Sequence, residues 1–359
     1  TSMVGLAIGQ LIFGPLSDKY GRRSPLLIAM ALFLISTVGC IFSQNISQFV
    51  ALRFVQGIAG AGGVVISRSI AADKYSAHEL AGMLATIGAI NGIATVVAPI
   101  GGGVLADFGG WHGIFWFLFI VGVLLIIGSM RFRESLPGGQ RQNIRWGDMY
   151  RRFGIVLHNR QYVRYILQYG FTMGVLFTNI ASAPFIMQQY YGLSPMLFSF
   201  CFGVNAVAMV ISSALAVRFS TMERALHVGN HGMLFISILL SVAFFLDCNF
   251  WIYEILIFCL LAMVGMTFTA SNTLAMDCER KNAGVASALL GAIGFAFGGI
   301  VSPLVGMGDI RMSTGFLFFM GSLCSCVCAC FSFHRLPFRK KALNFAPYRI
   351  INVFLQKLL

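Results

Sequence analysis

Charged side chains are scarce in this chain of 359 residues, since Asp, Glu, Lys and Arg together make up 10% of it. A soluble domain normally carries roughly a quarter charged residues. Apolar residues make up 58% of the chain, and a soluble fold has no place to bury so much apolar surface. The composition therefore excludes an ordinary soluble fold and predicts a chain whose excess apolar surface faces lipid.

Patterns of metal ligands and catalytic groups are also missing from the sequence. The nine cysteines show no metal-ligand spacing. Four of them, Cys324, Cys326, Cys328 and Cys330, alternate along an apolar run and fall on two opposed helix faces, so we interpret them as packing residues. Because there is no Ser/His/Asp set, phosphate loop or metal cluster, we expect no enzyme, no metal and no organic cofactor.

Long apolar runs are what the sequence has in abundance. A bilayer span needs about 20 such residues, and eleven runs approach or exceed that length: 3–16, 25–43, 49–71, 80–106, 112–130, 162–188, 196–217, 226–246, 250–275, 284–307 and 313–334. The 40 glycines suit helices that approach each other closely in lipid. The predicted fold class is therefore an all-α membrane protein with eleven spans present.

The basic residues are sorted to one side of these spans. Alternate connections and the C-terminal tail hold 23 of the 25 lysines and arginines, while Arg311 lies on the opposite side and Arg53 inside a span. The positive-inside rule makes those connections and the C-terminus cytoplasmic. This sorting explains the net charge of +13 without nucleic acid as a partner. The expected surroundings are a bacterial-type inner membrane and its lipid.

The longest connection divides the spans into five and six. We expect an N-terminal bundle at 1–131, a cytoplasmic inter-bundle loop at 132–161, a six-helix C-terminal bundle at 162–334 and a basic cytoplasmic tail at 335–359. Because the connection at Lys19 is cytoplasmic, the first span must begin outside. This favours a further span ahead of it, with a true eleven-span protein as the alternative. The tail is either an amphipathic helix on the inner leaflet or a disordered end.

The first cytoplasmic connection carries the most specific motif, Gly14-Pro15-Leu16-Ser17-Asp18-Lys19-Tyr20-Gly21-Arg22-Arg23. It resembles motif A of the major facilitator superfamily, with Lys19 where Arg is usual. The resemblance implies that the fold is two six-helix bundles and that this connection forms a cytoplasmic gate. The residues assigned to the gate are Gly14, Asp18, Lys19, Gly21, Arg22 and Arg23. Gly21 permits a tight turn, and Asp18 is placed to meet a helix N-terminus, expected near Ala283.

The third span opens with Leu52-Arg53-Phe54-Val55-Gln56-Gly57-Ile58-Ala59-Gly60, which resembles motif B of the same superfamily. An arginine at membrane depth costs at least about 2.5–3.5 kcal/mol, so Arg53 is expected to face the bundle interior or a wet cavity. The resemblance implies a proton-coupling role for Arg53, with Gln56, Gly57 and Gly60 around it. A purely structural role for Arg53 is the alternative.

The fourth span contains Ala98-Pro99-Ile100-Gly101-Gly102-Gly103, which resembles motif C, the mark of antiporters in the superfamily. Ala98 stands where glycine is usual. Pro99 removes a backbone hydrogen bond and bends its helix, and we expect Gly101 and Gly102 to let the bend pack tightly. A bend without any role in exchange is the alternative.

Three further stretches, at 111–116, 182–195 and 283–289, resemble the Bcr/CflA family of drug/proton antiporters. The resemblance extends to about residue 334 and leaves out the basic tail. It implies a monomeric multidrug efflux transporter of the inner membrane, associated with antibiotic resistance. Its partners would be small-molecule substrates and protons, and the proton gradient its energy source. Export of a natural metabolite such as an amino acid or dipeptide is one alternative, and an inactive truncated remnant is another.

Polar residues on otherwise apolar helices are candidate contacts for a substrate. Amides and hydroxyls suit varied, partly apolar ligands, and helix packing is the alternative for each of them. The candidates are Asn91, Gln168, Thr172, Asn179, Asn205, Ser271 and Asn272, of which Gln168, Thr172 and Asn179 share one helical stripe. Glu254 is the only carboxylate set a few residues inside a span, so it is a further candidate for proton coupling.

Overall fold

The protein is all-helical in the computed structural model, which describes residues 1–74, 77–136, 146–279 and 283–333. The helices are α1 (Ser2–Tyr20), α2 (Arg23–Ile41), α3 (Ile46–Lys74), α4 (Ala77–Met130), α5 (Trp146–His158), α6 (Arg160–Pro184), α7 (Pro195–Ala216), α8 (Met222–Phe245), α9 (Phe250–Cys278), α10 (Ala283–Val305) and α11 (Ile310–Phe333). A short π-helix, Phe185–Tyr190, continues α6.

The helices follow the apolar runs of the sequence. In the described ranges, nine helical stretches are long and apolar enough to cross a bilayer. The other two expected spans, 3–16 and 80–106, are also helical but are not among the nine. The all-helical fold class is thus confirmed, and the structure places a helix on each of the eleven runs.

Short polar residues mark several helix starts. Asn159, Ser194, Thr221 and Asn249 each accept hydrogen bonds from backbone N–H groups in the first turn of α6, α7, α8 and α9 respectively. Such caps satisfy donors that have no partner inside the helix. They fix where four spans of the C-terminal half begin.

The long helix α4 contains two spans. Its backbone leaves helical geometry at Gly110, where φ is +58° and ψ is −160°. A positive φ strains residues that carry a Cβ atom, so glycine allows this turn at little cost. The break at Gly110 separates the fourth and fifth predicted spans where the sequence places their boundary.

The connection at 132–161 contains a helix that the sequence analysis did not anticipate. Helix α5 is amphipathic, and its side chains Phe153 and Val156 are buried in the same core cluster as Tyr162 and Tyr165 of α6. Asn159, just after α5, also donates from Nδ2 to Glu279 Oε1 at the end of α9, at 2.6 Å. The second part of this connection therefore packs against the C-terminal half of the protein.

The two halves meet along two helix pairs. Helix α1 packs against α10, and α4 packs against α7. The α1–α10 contact is close at two levels: a Cβ atom placed on Gly299 would lie 2.8 Å from Val4 Cγ2, and one on Gly291 only 1.7 Å from Gln10 Oε1. The two helices are therefore in direct contact at these positions.

An ion pair ties three elements at the end of the molecule opposite the motif A connection. Arg311, at the start of α11, pairs with Asp247 in the α8–α9 connection, and its guanidinium lies 4.1 Å from the ring centre of Tyr190. The hydrogen bond from Arg311 and then that from Tyr190 lower the pKa of Asp247 below its usual range. Arg311, the one basic residue expected on this side, thus has a structural partner.

Replacing Asp247 with asparagine is expected to lower the thermal stability of the detergent-solubilised protein at neutral pH but not in acid. The pKa of Asp247 is lower in the folded protein than in the unfolded chain, where it is about 3.9. Ionised Asp247 therefore stabilises the fold at any pH above the unfolded pKa, and this stabilisation is lost as the pH falls through the folded pKa. Asparagine tolerates the positive φ of +50° at this position, so the variant changes the charge and leaves the backbone intact. Melting curves of both proteins at neutral and acidic pH test this. A gap of equal size at every pH would contradict it.

Candidate functional site

A cluster of charged side chains joins the ends of α1, α2 and α3. The guanidinium of Arg22 donates from Nη1 to Asp18 Oδ1 at 2.5 Å and to Ser17 Oγ at 2.8 Å. It also donates from Nε and Nη2 to the two carboxylate oxygens of Asp73, at 2.8 and 3.3 Å. Arg22 is only 6% exposed. This two-point Arg–carboxylate geometry is among the strongest of side-chain contacts.

The charge on Arg22 is maintained in spite of its burial. Burial lowers the pKa of the guanidinium, but the hydrogen bond to Asp73 and the charge of Asp18 outweigh that effect, and the pKa is raised overall. Arg22 is therefore a permanent cation held between two carboxylates. It links the end of α1 to the end of α3.

Asp73 and Glu134 belong to this cluster although the motif did not include them. Glu134 follows α4 and accepts the backbone N–H of Arg22 at 2.8 Å and that of Arg23 at 3.2 Å, where α2 begins. A carboxylate at a helix N-terminus is favoured by the helix dipole. The sequence offered one signal for Asp73 and Glu134. Both are acidic residues at the ends of spans, in cytoplasmic connections whose charged residues are mostly basic.

The other residues assigned to the gate occupy distinct positions. Gly21 ends α1 with φ at +92°, a value suited to glycine. Gly14 lies between α3 and α10: a Cβ atom there would be 3.6 Å from Val65 and 3.9 Å from Ala288. Arg23 is exposed and donates to Met130 O at 3.0 Å. The contact expected between Asp18 and the start of α10 falls partly outside the described residues, which omit 280–282.

A second polar chain lies near the opposite end of α3. Arg53 donates from Nη1 to Gln56 Oε1 at 2.7 Å, and Gln56 Nε2 donates to Thr37 Oγ1 at 2.7 Å. The Arg53 guanidinium also lies 5.4 Å from the ring centre of Phe115. Arg53 is half-buried and Gln56 is buried. The chain connects α3 to α2 and to the second span of α4.

The two glycines of motif B differ in what surrounds them. A Cβ atom on Gly57 would lie 2.2 Å from the backbone oxygen of Ser2, whereas one on Gly60 would lie 3.7 Å from the nearest atom, Leu6 Cδ2. Gly57 therefore sets the distance between α1 and α3. Gly60 does not.

Replacing Gly57 with alanine is expected to destabilise the protein by about 1–3 kcal/mol, because overpacking forces the backbone of α1 and α3 apart. Gly60→Ala is the matched control, and it is expected to be neutral or slightly stabilising because alanine favours the helix. Melting of both variants in detergent, followed by size-exclusion chromatography, measures the difference. Equal melting temperatures for the two variants would refute the assignment.

Motif C packs differently from the expectation. A Cβ atom added to Gly101 or Gly102 would meet no described heavy atom within 4 Å, so the described residues show no tight packing at these two glycines. The close approach is at Gly103, where a Cβ atom would lie 3.3 Å from Ser199 Oγ of α7. Within α4, Gly110 is the residue with non-helical backbone angles. Ala98 is exposed, and the side chain of Pro99 lies outside the described residues.

The polar stripe on α6 faces other helices of its own half. Thr172 Oγ1 lies 3.3 Å from Ser325 Oγ of α11, which donates to Asn230 Oδ1 of α8 at 2.9 Å. Gln168 and Asn179 share this face and are 0% and 2% exposed. The structure thus gives Thr172 a packing role between α6, α8 and α11. Ligand contact for these three residues stays a prediction.

The remaining candidates for substrate contact are scattered. Ser271 is buried and donates to Thr267 O in its own helix, while Asn272 is half-buried. Asn205 is bonded to Glu254 at 3.0 Å between α7 and α9. The side chain of Asn91 lies outside the described residues. No hydrogen bond between described residues joins Asn205, Ser271 or Asn272 to the stripe on α6.

An aromatic and methionine surface lies on a different side of α6 from the polar stripe. Tyr169, Met173 and Phe177 of α6 belong to one core cluster, against which Met3 and Leu11 of α1 pack. The Tyr169 ring is 5.2 Å from Phe268, and the Phe177 ring is 5.9 Å from Phe295. This surface connects the two halves near the α1–α10 contact. The search for polar residues on apolar helices could not find this surface, because its apolar side chains do not differ from the rest of the helix.

Comparison with known proteins decides the family. The family model for the Major Facilitator Superfamily matches residues 1–303. The chain belongs to the Major Facilitator Superfamily. It is therefore a multi-pass membrane transporter and not an enzyme, in agreement with the sequence analysis.

Relatives among characterised and uncharacterised transporters cover most of the chain. It is 37% identical over 313 residues to the uncharacterized MFS-type transporter YdgK of Bacillus subtilis, which covers 86% of this chain and 78% of that protein. It is 29% identical over 341 residues to the bicyclomycin resistance protein homolog of Haemophilus influenzae, covering 89% of this chain and 81% of that protein. The multidrug resistance protein MdtL of Escherichia coli is 24% identical over 320 residues, 88% of this chain and 80% of that protein. This superfamily member is thus related to drug-resistance efflux proteins.

Solved structures of other superfamily members share the fold. The xylose transporter XylE of E. coli, in a partially occluded inward-open conformation, matches with a TM-score of 0.71 at 17% identity, covering 94% of this chain and 85% of that one. The human organic anion transporter MFSD10 matches with a TM-score of 0.65 at 18% identity, over 92% and 81% of the two chains. These matches confirm the predicted superfamily fold.

Proposed function

We propose that this protein is a proton-coupled exporter of drugs or other small molecules, of the Bcr/CflA type, in a bacterial inner membrane. The motif A connection, the loop at 132–161 and the C-terminus lie on the cytoplasmic side. Proton entry drives expulsion of the compound as the two halves rock about a site between them. The bicyclomycin and multidrug resistance proteins among its relatives support this choice of substrate class.

The observation that carries the proposal is the position of two arginine sites on one helix. Arg53 lies near the start of α3 and Asp73, the partner of Arg22, near its end. Twenty residues of α-helix separate them by about 30 Å, the thickness of the bilayer core. A change at Arg53 thus reaches the gate cluster on the other face of the membrane through one rigid helix.

The gate works through Arg22. In the closed arrangement its guanidinium holds the end of α1 against the end of α3, while α1 contacts α10 of the other half. Opening toward the cytoplasm separates α1 from α10, and the Arg22 cluster, which lies within the N-terminal half, keeps the end of α1 in position for that contact. Of the residues assigned to the gate, we retain Gly14, Asp18, Gly21 and Arg22, and we add Asp73 and Glu134, which bond Arg22.

Substrates bind against the aromatic and methionine surface of α6, α9 and α10. Tyr169, Met173 and Phe177 offer flexible and flat apolar contacts, which suit ligands of varied shape. An amino acid or dipeptide carries charged ends, which need oppositely charged partners. Tyr169, Met173 and Phe177 carry no charge. The surface therefore favours drug-like compounds over zwitterionic metabolites.

Uptake into inverted membrane vesicles tests the proposal. A panel of bicyclomycin, chloramphenicol, ethidium and a labelled dipeptide is offered with a pH gradient that is acidic inside, and again after a protonophore collapses it. We expect accumulation of at least one of the first three compounds, which stops when the gradient collapses. Uptake that ignores the gradient would refute proton coupling. Uptake of the dipeptide alone would replace drug export with metabolite export, and no uptake of any compound would favour an inactive protein.

A further inference from the structure

A carboxyl group and an amide meet between α7 and α9, apart from the gate cluster and the Arg53 chain. Asn205 Nδ2 donates to Glu254 Oε1 at 3.0 Å. Asn205 is 1% exposed and is the eleventh residue of the 22-residue helix α7. About 15 Å of helix lies on either side of it. The Glu254 head group therefore lies level with the middle of α7, although Glu254 is the fifth residue of α9.

Two atoms of this pair lack a partner. Among the described residues, Glu254 Oε2 and Asn205 Oδ1 are both buried and form no hydrogen bond. Both are acceptors while the carboxyl group is ionised, so they cannot satisfy each other. A proton on Oε2 turns it into an O–H donor, which Asn205 Oδ1 can accept. One proton thus supplies the single donor that the pair lacks and completes an acid–amide pair with two hydrogen bonds.

Among the described residues, no positive charge compensates the carboxylate. In the part of the chain that the structure describes, Glu254 forms no salt bridge. The titratable groups near it are the thiol of Cys201, one turn before Asn205 on α7, and the phenol of its neighbour Tyr253. The described residues of α6, α8 and α10, which also pack on α9, bring no charged group to it. An ionisable residue in this setting points to a functional role.

The rest of the α7–α9 contact is fixed by backbone packing. A Cβ atom on Gly265 would lie 2.3 Å from Met209 O, and Ser213 Oγ donates to Gly265 O at 3.0 Å. The Glu254–Asn205 pair is therefore the part of the contact that can change with protonation. Helix α7 also contacts α4 of the other half at Ser199. A change in the packing of α7 against α9 would therefore alter the interface between the two halves.

We propose that Glu254 is a proton-binding site of the C-terminal half, with Asn205 as the residue that positions it. Proton uptake forms an O–H bond at Oε2 and adds a second hydrogen bond between α9 and α7, and proton release breaks that second bond. This assignment rests on the proposed function for its role in export, but proton binding itself does not depend on transport.

Infrared titration of the purified protein in lipid tests proton binding directly. The C=O stretch of carboxylic acid groups is recorded from acidic to alkaline pH for the wild type and for Glu254→Gln. We expect a carboxylic acid band that disappears on alkalinisation in the wild type and is missing from Glu254→Gln. Titration of these bands that is identical in both proteins would overturn the proposal. Size-exclusion chromatography and melting curves verify that the variant is folded, and Glu254→Asp should retain a titrating band.

Transport assays separate this proposal from the proposed function. We expect Glu254→Gln to reduce export driven by the pH gradient by tenfold or more while leaving exchange of labelled for unlabelled compound within twofold of the wild type. Glu223→Gln, a matched change at the start of α8, should leave both rates unchanged. A wild type without gradient-driven export would refute the proposed function, and the infrared result would still stand. A wild type that exports, with Glu254→Gln exporting equally well, would refute only the role of Glu254.

Discussion

Replacing Arg22 with glutamine is expected to reduce export by about tenfold or more. Arg22 is the buried centre of the gate cluster and bonds Asp18, Asp73 and Ser17 at once. Leaving Asp73 without its charged partner costs about 1.5–3 kcal/mol, and about 1.4 kcal/mol is a factor of ten in rate. Because Asp18 is 39% exposed, water offsets part of its loss. The end of α1 loses most of the hydrogen bonds that hold it against α3 in the closed arrangement of the gate.

The matched control for Arg22→Gln is Arg23→Gln. Arg23 is the next residue and carries the same charge, but its side chain is exposed, and its backbone N–H would still donate to Glu134 in the variant. We expect its export to stay within about twofold of the wild type, as is usual for exposed charges. Export rates are measured in inverted vesicles after correction for the amount of folded protein. Equal losses in the two variants would mean that the positive charge of the loop matters and the buried contact does not.

Replacing Arg53 with alanine is expected to remove the dependence of export on the pH gradient. The variant loses the bond to Gln56 and the contact with the Phe115 ring. It also loses a positive charge that lies inside the third span. Gradient-driven uptake should fall by about tenfold or more, since a charge-assisted hydrogen bond contributes about 1.5–3 kcal/mol. Exchange of labelled for unlabelled compound, which needs no gradient, should persist.

Arg53→Lys distinguishes the charge of this residue from its geometry. Lysine keeps the positive charge but lacks the planar group that lies over Phe115. We expect it to recover part of the gradient-driven uptake. Full gradient-driven uptake in Arg53→Ala would leave Arg53 with a structural role only.

The fold was predictable because its signals are local. Spans follow from runs of apolar residues, and the break at Gly110 lies between two such runs. The turn after α1 could be expected because Gly21 stands where motif A requires a tight turn, and the structure gives it a positive φ. The superfamily fold followed from the same motif. These features depend on neighbours in sequence and need no knowledge of distant contacts.

The site was predictable only in part because its contacts are long-range. Asp73 lies 51 residues from Arg22, and Glu134 lies 112 residues away, so neither could be joined to the motif by spacing alone. The helical stripe of Gln168, Thr172 and Asn179 was correct as a stripe, but periodicity does not say which neighbour a face meets. Thr172 faces α11, and the aromatic surface lies on another side of α6. Helix α5 was overlooked because it is short and amphipathic and lies in a connection rich in arginine, which has no long apolar run.

Proton movement in reconstituted liposomes tests proton-coupled export most directly. Liposomes are loaded with a transported compound and a pH-sensitive dye, start at equal pH inside and outside, and have their membrane potential clamped with potassium and valinomycin. Dilution into compound-free buffer then lets the compound leave. An antiporter must bring protons in as the compound leaves, so we expect acidification of the lumen. Loss of compound with no pH change, or with alkalinisation, would contradict it.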